Sequence, residues 1–380
     1  MKKIIYFDNA ATSHFKPKSV IRALVKSIKN SANPGRSGHK LSLNNSMEIW
    51  KTRDIIAEHF GNIEPENVIF TKNCTEALNI AILGTVRKNG NVICSCFEHN
   101  SILRPLHELE NKGIITLTIV SPKNKKYITS ADIKEKIIPS TYLICVNSLS
   151  NVTGNKNEIT EIGKICKEKN ILFLVDNAQG CGHLKIDMIK SHINFLSFAG
   201  HKGFFAPQSI GGLCINSKII PNPIVFGGTG TESENMLQPS TLPESLESGT
   251  LSTPLIIGLK KGIEFVDKKF NKLNNKTRFL TEYLYENLKK IKGITIYSLP
   301  NLDSGIISFN YKNYDSVEIT EYLDKNFNIA TRGGIHCSPL AHKFLNTTKT
   351  GIVRISLNFK NTKKEVNTLI KAIKNFKKTT

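Results

Sequence analysis

The chain of 380 residues has no apolar run near the roughly 18 to 20 residues that a membrane-spanning helix needs, so no such span is expected. Its start, Met1-Lys2-Lys3-Ile4-Ile5-Tyr6-Phe7-Asp8, lacks the apolar core of a signal peptide and reads as a short strand. The eight cysteines (74, 94, 96, 145, 166, 181, 214 and 337) include no CxxC pair and no regular framework. Several, such as Cys145 and Cys214, fall in apolar strands, where a buried thiol is ordinary. Together these absences indicate a reducing cytoplasm. Internal repeats and low-complexity linkers are also missing. Negative charge is scarce, with 31 Asp and Glu against 52 Lys and Arg and a formal net charge of +21. The lysines are dispersed, many in the Lys/Asn-rich stretches 260–276 and 363–378, without regular aromatic interleaving. That pattern is a solvated surface, not a nucleic-acid-binding stripe, and it leaves an acidic protein partner as the useful consequence.

What is present is a soluble, globular pattern. Length alone suggests two to three domains. Helical spacing of apolar residues predicts helices over 17–30 and 41–60, separated by the loop Asn33-Pro34-Gly35-Arg36-Ser37-Gly38-His39. Strands are then expected at 68–71, 91–96, 114–120, 142–147, 171–175, 193–198 and 212–215, with helices such as 75–88 and 158–169 between them. This alternation predicts a mainly parallel α/β sheet, whose ligands lie beyond the carboxyl ends of the strands. After Pro254 a long helical stretch, 255 to about 290, leads into further strands and a last helix over 361–376. The expected organisation is a large domain, 16–254, and a smaller α+β domain formed by 1–15 and 255–380.

The candidate chemistry gathers at strand ends. Lys202, in Ser197-Phe198-Ala199-Gly200-His201-Lys202-Gly203, follows one apolar strand, and Asp176, in Val175-Asp176-Asn177-Ala178-Gln179, closes another. A crowded lysine is a usable nucleophile toward a carbonyl. A lysine and a carboxylate so placed match the needs of pyridoxal phosphate, one for the aldehyde and one for the ring nitrogen. Asn73-Cys74-Thr75-Glu76 opens a helix after a strand and is either a phosphate site or a plain N-cap. His99, after the strand at 91–96, can stack on a planar ring or be structural. Asn151 and Gln179 can contact such a ring or simply form their own turns.

The order of these motifs resembles the class V branch of the fold-type I pyridoxal-phosphate enzymes, and within it the cysteine desulfurases. The resemblance rests on Phe7-Asp8-Asn9-Ala10-Ala11-Thr12, Asn73-Cys74-Thr75-Glu76-Ala77, Glu98-His99, Ser150-Asn151-Val152-Thr153-Gly154, Asp176-Asn177-Ala178-Gln179, Gly200-His201-Lys202 and Glu247-Ser248-Gly249-Thr250, in that order. It implies the fold-type I architecture, with a seven-stranded sheet and a smaller C-terminal domain. It also implies Lys202 as the Schiff-base lysine, Asp176 at the pyridine nitrogen, His99 stacked on the ring, and Gln179 with Asn151 near the ring hydroxyl. Thr75 and His201 would hold the phosphate, joined by Thr250 from the second subunit of a homodimer. Arg36 and His39 resemble residues near the dimer interface and substrate entrance. Two positions depart from the pattern. Ala199 stands where Ser or Thr is usual, removing a hydroxyl donor to the phosphate, and Cys74 stands where Thr is common.

The segment Thr331-Arg332-Gly333-Gly334-Ile335-His336-Cys337-Ser338-Pro339-Leu340 decides among reactions. Its glycines suggest a mobile loop, and a histidine beside the cysteine suggests an imidazolium that favours the thiolate; an inert core cysteine is the alternative. The loop resembles the persulfide-forming loop of group II (Suf-type) desulfurases and of selenocysteine lyases. Arg354, in an apolar strand matching the family's Arg-x-Ser segment, is the candidate for the substrate carboxylate, with a surface charge as the other reading. The expectation is a cytoplasmic L-cysteine desulfurase, using Lys202, His99 and Cys337 and passing sulfur to an acceptor protein. Selenocysteine lyase and a class V aminotransferase acting on a small amino acid stay open. So does a catalytically silent protein of this fold that contacts nucleic acid through its charge.

Overall fold

The structure is a computed structural model and describes residues 4–35, 37–123, 125–300 and 303–379, with side chains through 376. In chain order the elements are β1 (Ile5–Tyr6), α1 (Lys18–Lys29), α2 (Lys40–His59), β2 (Val68–Thr71), α3 (Cys74–Gly84), β3 (Gly90–Ser95), α4 (Asn100–Asn111), β4 (Ile115–Val120), α5 (Ser130–Lys134), β5 (Thr141–Asn147), α6 (Ile159–Glu168), β6 (Leu172–Asp176), β7 (Phe195–Ala199) and β8 (Gly211–Ile215). After a long connection come α7 (Thr253–Lys289), β9 (Ile294–Ile296), β10 (Ile306–Tyr311), α8 (Ser316–Phe327), β11 (Ile329–Ala330), α9 (Pro339–Phe344), β12 (Val353–Ser356) and α10 (Lys363–Thr379).

The main sheet has seven strands in the order β2-β8-β7-β6-β5-β3-β4. Only β8 runs against its neighbours; the rest are mutually parallel, as the alternating pattern predicts. Every residue of β5 and β7 is buried, which is why these strands read as continuous apolar runs and not as alternating ones. The order reverses between β3 and β5, since β4 lies beyond β3 while β6 and β7 extend the other way. Crossover loops leave that point in opposite directions and open a crevice at the carboxyl edge.

Helix α7 is 37 residues long, about 56 Å at 1.5 Å per residue. Its first part, including Ile256, Leu259, Ile263 and Val266, joins the cluster packed on the large sheet. Leu280, Leu284 and Leu288 join a second cluster with Phe7, Ile307, Phe309 and Ile355, built around the three-stranded sheet β12-β10-β9. Strand β1 pairs in parallel with β11, so the chain's first strand packs among its last elements. Helix α3 stops at Gly84, short of the expected 88; the Gly84 carbonyl there accepts from the Asn222 amide at 2.8 Å and not from residue 88.

Candidate active site

A cavity of about 260 Å³ opens at the carboxyl edge of the large sheet. Register explains its contents. Asn147 at the end of β5 pairs with Asp176 at the end of β6, and Asp176 pairs with Ser197 on β7. The segments leaving these strands therefore converge on one place. Lys202, Asp176, Gln179, His99, Thr75, Cys74, Asn151, His201 and Arg354 all line this cavity.

Asp176 is buried, and its Oδ1 accepts a hydrogen bond from the Ala178 amide at 2.8 Å. The Cys74 thiol lies 3.5 Å from the same oxygen and 3.2 Å from Ser197 Oγ, so the unusual Cys74 braces Asp176. Burial, and next the charge of Asp176, push that thiol well above its ordinary range, leaving it a protonated donor. Burial also pushes the Lys202 ammonium below the usual lysine range, while Asp176 acts in the opposite direction.

His99 caps α4 with its Nδ1 accepting from the Ser101 amide at 3.1 Å. In the neutral ring the proton then sits on Nε2. Burial lowers its pKa to about 4. Ser101 Oγ touches both His99 Nδ1, at 2.8 Å, and Thr75 Oγ1, at 2.7 Å, forming a hydroxyl chain behind the ring. Thr75 lies in the first turn of α3, whose N-cap Asn73 accepts from the Glu76 amide. His201 is likewise held neutral by burial and then by Lys202, with a pKa of about 4. Its carbonyl is fixed by Ser13, whose amide and hydroxyl donate at 3.1 and 2.9 Å.

Arg354 is 1% exposed, which removes the surface-charge reading. Its Nη2 donates to Asp8 Oδ1 at 2.9 Å and its Nη1 to the Asn151 carbonyl at 3.0 Å, leaving Nε buried without a partner. Asn151 lines the cavity, but its side chain is turned to the cysteine loop. Its Nδ2 donates to the His336 carbonyl at 2.7 Å, and its Oδ1 accepts from Ser338 Oγ at 2.8 Å. Gln179 Nε2 donates to the Ala10 carbonyl at 3.0 Å.

Cys337 is half-buried, whereas the other seven cysteines are buried and unpaired. One expectation about its loop needs correction. His336 is not an imidazolium that favours the thiolate: its Nε2 donates to the Ile352 carbonyl at 2.8 Å, and burial lowers its pKa to about 2. The cation beside the sulfur is Arg332, whose Nη2 lies 3.7 Å from Cys337 Sγ. In this conformation the loop is held at Gly333 and Gly334. A Cβ on Gly333 would lie 2.6 Å from the Ser316 carbonyl, and Gly334 donates its amide to Ser316 Oγ at 2.9 Å. Sequence reasoning assigned no role to Arg332 or Ser101; a basic residue five positions before a loop cysteine was the available signal for the first.

Thr250 and His39 lie apart from this cavity. Thr250 is exposed and lines a separate cleft of about 130 Å³ with Asn33, Pro34 and Gly35. His39 caps α2 by accepting from the Ser42 amide at 3.3 Å. Arg36 lies outside the described residues. Among the described residues no cluster of three or more His, Cys, Asp or Glu could hold a metal ion, and no helix is long and apolar enough to cross a membrane.

A mainly parallel sheet carrying a half-buried lysine, a buried carboxylate and a half-buried histidine at its carboxyl edge defines the class as one of α/β enzymes. The aminotransferase class-V family model matches residues 5–369, and the chain belongs to that family, which uses pyridoxal phosphate. A probable cysteine desulfurase of Borreliella burgdorferi is 35% identical, over 98% of this chain and 92% of its own length. A probable cysteine desulfurase of Pyrococcus abyssi is 34% identical, over 97% and 93%. The apo structure of a cysteine desulfurase from Thermococcus onnurineus NA1 matches with a TM-score of 0.92 at 31% identity, covering 99% of this chain and 95% of that one.

Proposed function

We propose that the protein is a pyridoxal-phosphate-dependent L-cysteine desulfurase that forms alanine and a persulfide on Cys337. The observation that carries this reading is the half-exposed thiol of Cys337, on a loop whose Arg332 and His336 line the cavity holding Lys202 and Asp176. An aminotransferase has no use for a thiol there.

The donor set fits the cofactor: Asp176 for the ring nitrogen, Lys202 for the aldehyde, the His99 face for the ring, and Thr75, His201 and the first-turn amides of α3 for the phosphate. When bound, pyridoxal phosphate would supply the aldehyde that takes up the substrate amine and the ring that draws electrons from Cα. Lys202, its amine favoured by burial, removes the Cα proton. Arg354 offers its unpartnered Nε, already oriented by Asp8, to the substrate carboxylate. The Cys337 thiolate attacks the substrate sulfur; an S–S bond forms, and the C–S electron pair stays on carbon. The proton given up by the Cys337 thiol goes to the carbon that loses sulfur, while neutral His99 offers its Nε2–H as a hydrogen bond and the Thr75–Ser101 hydroxyls hold Nδ1. Net, the Cys337 thiol and cysteine give the Cys337 persulfide and alanine, without an external oxidant.

Several features support the wider reading. The exposed apolar side chains Phe226 (71%), Met236 (100%) and Leu237 (77%), and the Thr250 cleft, suit a homodimer whose second subunit completes the phosphate site. The net charge of +21 suits an acidic sulfur-acceptor protein. Eight unpaired cysteines suit a reducing cytoplasm. The test is anaerobic turnover of L-cysteine with reductant present, quantifying alanine and sulfide for the parent and Cys337→Ala. Equimolar products, lost in the variant, are expected. A yellow, cofactor-loaded parent that makes no alanine would overturn the reading and direct attention to selenocysteine or to keto-acid formation.

A further inference from the structure

We infer that Arg332 is the positioning residue for the transferred sulfur: its guanidinium pairs with Cys337 Sγ as the thiolate and then with the terminal sulfur of the persulfide. The inference rests on the proposed desulfurase reaction.

Three observations carry it. Arg332 Nη2 lies 3.7 Å from Cys337 Sγ. Arg332 and Arg354 face each other across an antiparallel bridge, with Arg354 N donating to Arg332 O at 2.8 Å and Arg332 N to Arg354 O at 3.3 Å. Directly opposed residues send their side chains to the same face, so two like charges stand side by side, an unfavourable arrangement unless each finds an anion. Arg354 has Asp8 at 2.9 Å, whereas among the described residues no carboxylate lies within ion-pair distance of Arg332. The sulfur is the counter-charge its position calls for.

The third observation is that the loop backbone delivers the sulfur to that place. His336 and Cys337 both adopt positive φ, 51° and 59°, conformations that persist only where neighbours hold them. The Asn100 amide holds the Cys337 carbonyl at 2.8 Å, and Asn151 holds the His336 carbonyl at 2.7 Å. The other charged or titratable groups nearby are already engaged. His336 donates to Ile352, His99 Nδ1 accepts from Ser101, and Arg354 pairs with Asp8. Transfer adds one sulfur about 2 Å beyond Sγ. A planar guanidinium with several N–H donors can follow the charge from the inner to the outer sulfur, which a single hydroxyl cannot.

Charge-selective labelling of the cofactor-loaded enzyme tests this without turnover. Iodoacetate and iodoacetamide alkylate the same thiol, but only the first is an anion, and the rate ratio at Cys337, mapped by peptide mass, reads the local cation. Arg332→Gln should lower the iodoacetate-to-iodoacetamide ratio about fivefold, the Boltzmann factor for one charge pair about 4 Å apart in a water-like medium. Arg332→Met is a second neutral variant if the first does not fold, and Arg332→Lys should restore most of the ratio. Arg104→Gln, on the exposed side of α4, should leave it unchanged. After L-cysteine is added, the neutral variants should also retain less persulfide on Cys337. A ratio unchanged in both neutral variants, or lowered equally by Arg104→Gln, would overturn the inference. Labelling does not depend on alanine formation, so loss of the desulfurase reading appears separately, as absence of alanine from the parent.

Discussion

Glu98 lies beneath His99, fully buried, and its environment makes a quantitative prediction. Its Oε1 accepts from Ser95 Oγ and from the amide and side-chain nitrogens of Asn147, both at 3.0 Å, while Oε2 has no partner. Burial outweighs these donors and raises the Glu98 pKa to about 8. An acid whose pKa is raised on folding keeps its proton in the folded state after the unfolded chain has released it. Between the ordinary carboxylate range and about pH 8, therefore, folding takes up a proton and stability falls as pH rises. The slope is about 1.4 kcal/mol per pH unit, or about 2–3 kcal/mol between pH 6 and pH 8. Glu98→Gln keeps the acceptor for Ser95 and Asn147 and has no proton to lose. Urea unfolding of parent and variant at pH 6, 7 and 8 should show the variant already the more stable at pH 6, because the unfolded carboxyl is ionised there, with the gap widening as pH rises. The variant should then gain about 2–3 kcal/mol relative to the parent by pH 8. Parallel pH curves for the two proteins would refute the claim that Glu98 is held protonated.

Two further predictions concern the site itself. Asn151→Ala leaves the His336 carbonyl and Ser338 hydroxyl unpaired; at roughly 1–2 kcal/mol each, loop opening should become easier by about 2–4 kcal/mol. Amide hydrogen exchange over 333–338 should quicken, and unchanged exchange would show that Asn151 does not hold the loop. Ala199→Ser places a hydroxyl on the cavity wall, where one charge-assisted hydrogen bond of about 1.5 kcal/mol would slow cofactor loss roughly tenfold. Dialysis followed by cofactor absorbance checks this, and an unchanged rate would place the phosphate elsewhere.

Three cavity residues singled out in advance share one property: each lies at or just beyond a strand end. Lys202 lies three residues beyond β7 and His99 four beyond β3, while Asp176 is the last residue of β6. Parallel strands bring their carboxyl ends to one edge, so sequence order alone was enough to gather them. The apolar runs of β5 and β7 likewise announced strands buried on both faces, because burial on both sides leaves no room for alternation. Cys337 stood out as a cysteine among glycine and proline.

Charge state and partnership were not legible, because both arise from residues far apart in the chain. His336 reads as an activating imidazolium when judged by adjacency to Cys337, yet burial and the Ile352 carbonyl keep it neutral. Asn151 reads as a ligand for a ring, yet its amide reaches across 185 residues to the cysteine loop. Arg332 gains its place beside the sulfur only because the loop bends back through two residues of positive φ. Periodicity and strand ends are local properties that a sequence carries openly. Desolvation and long-range pairing depend on what surrounds each atom, and only the folded chain decides that.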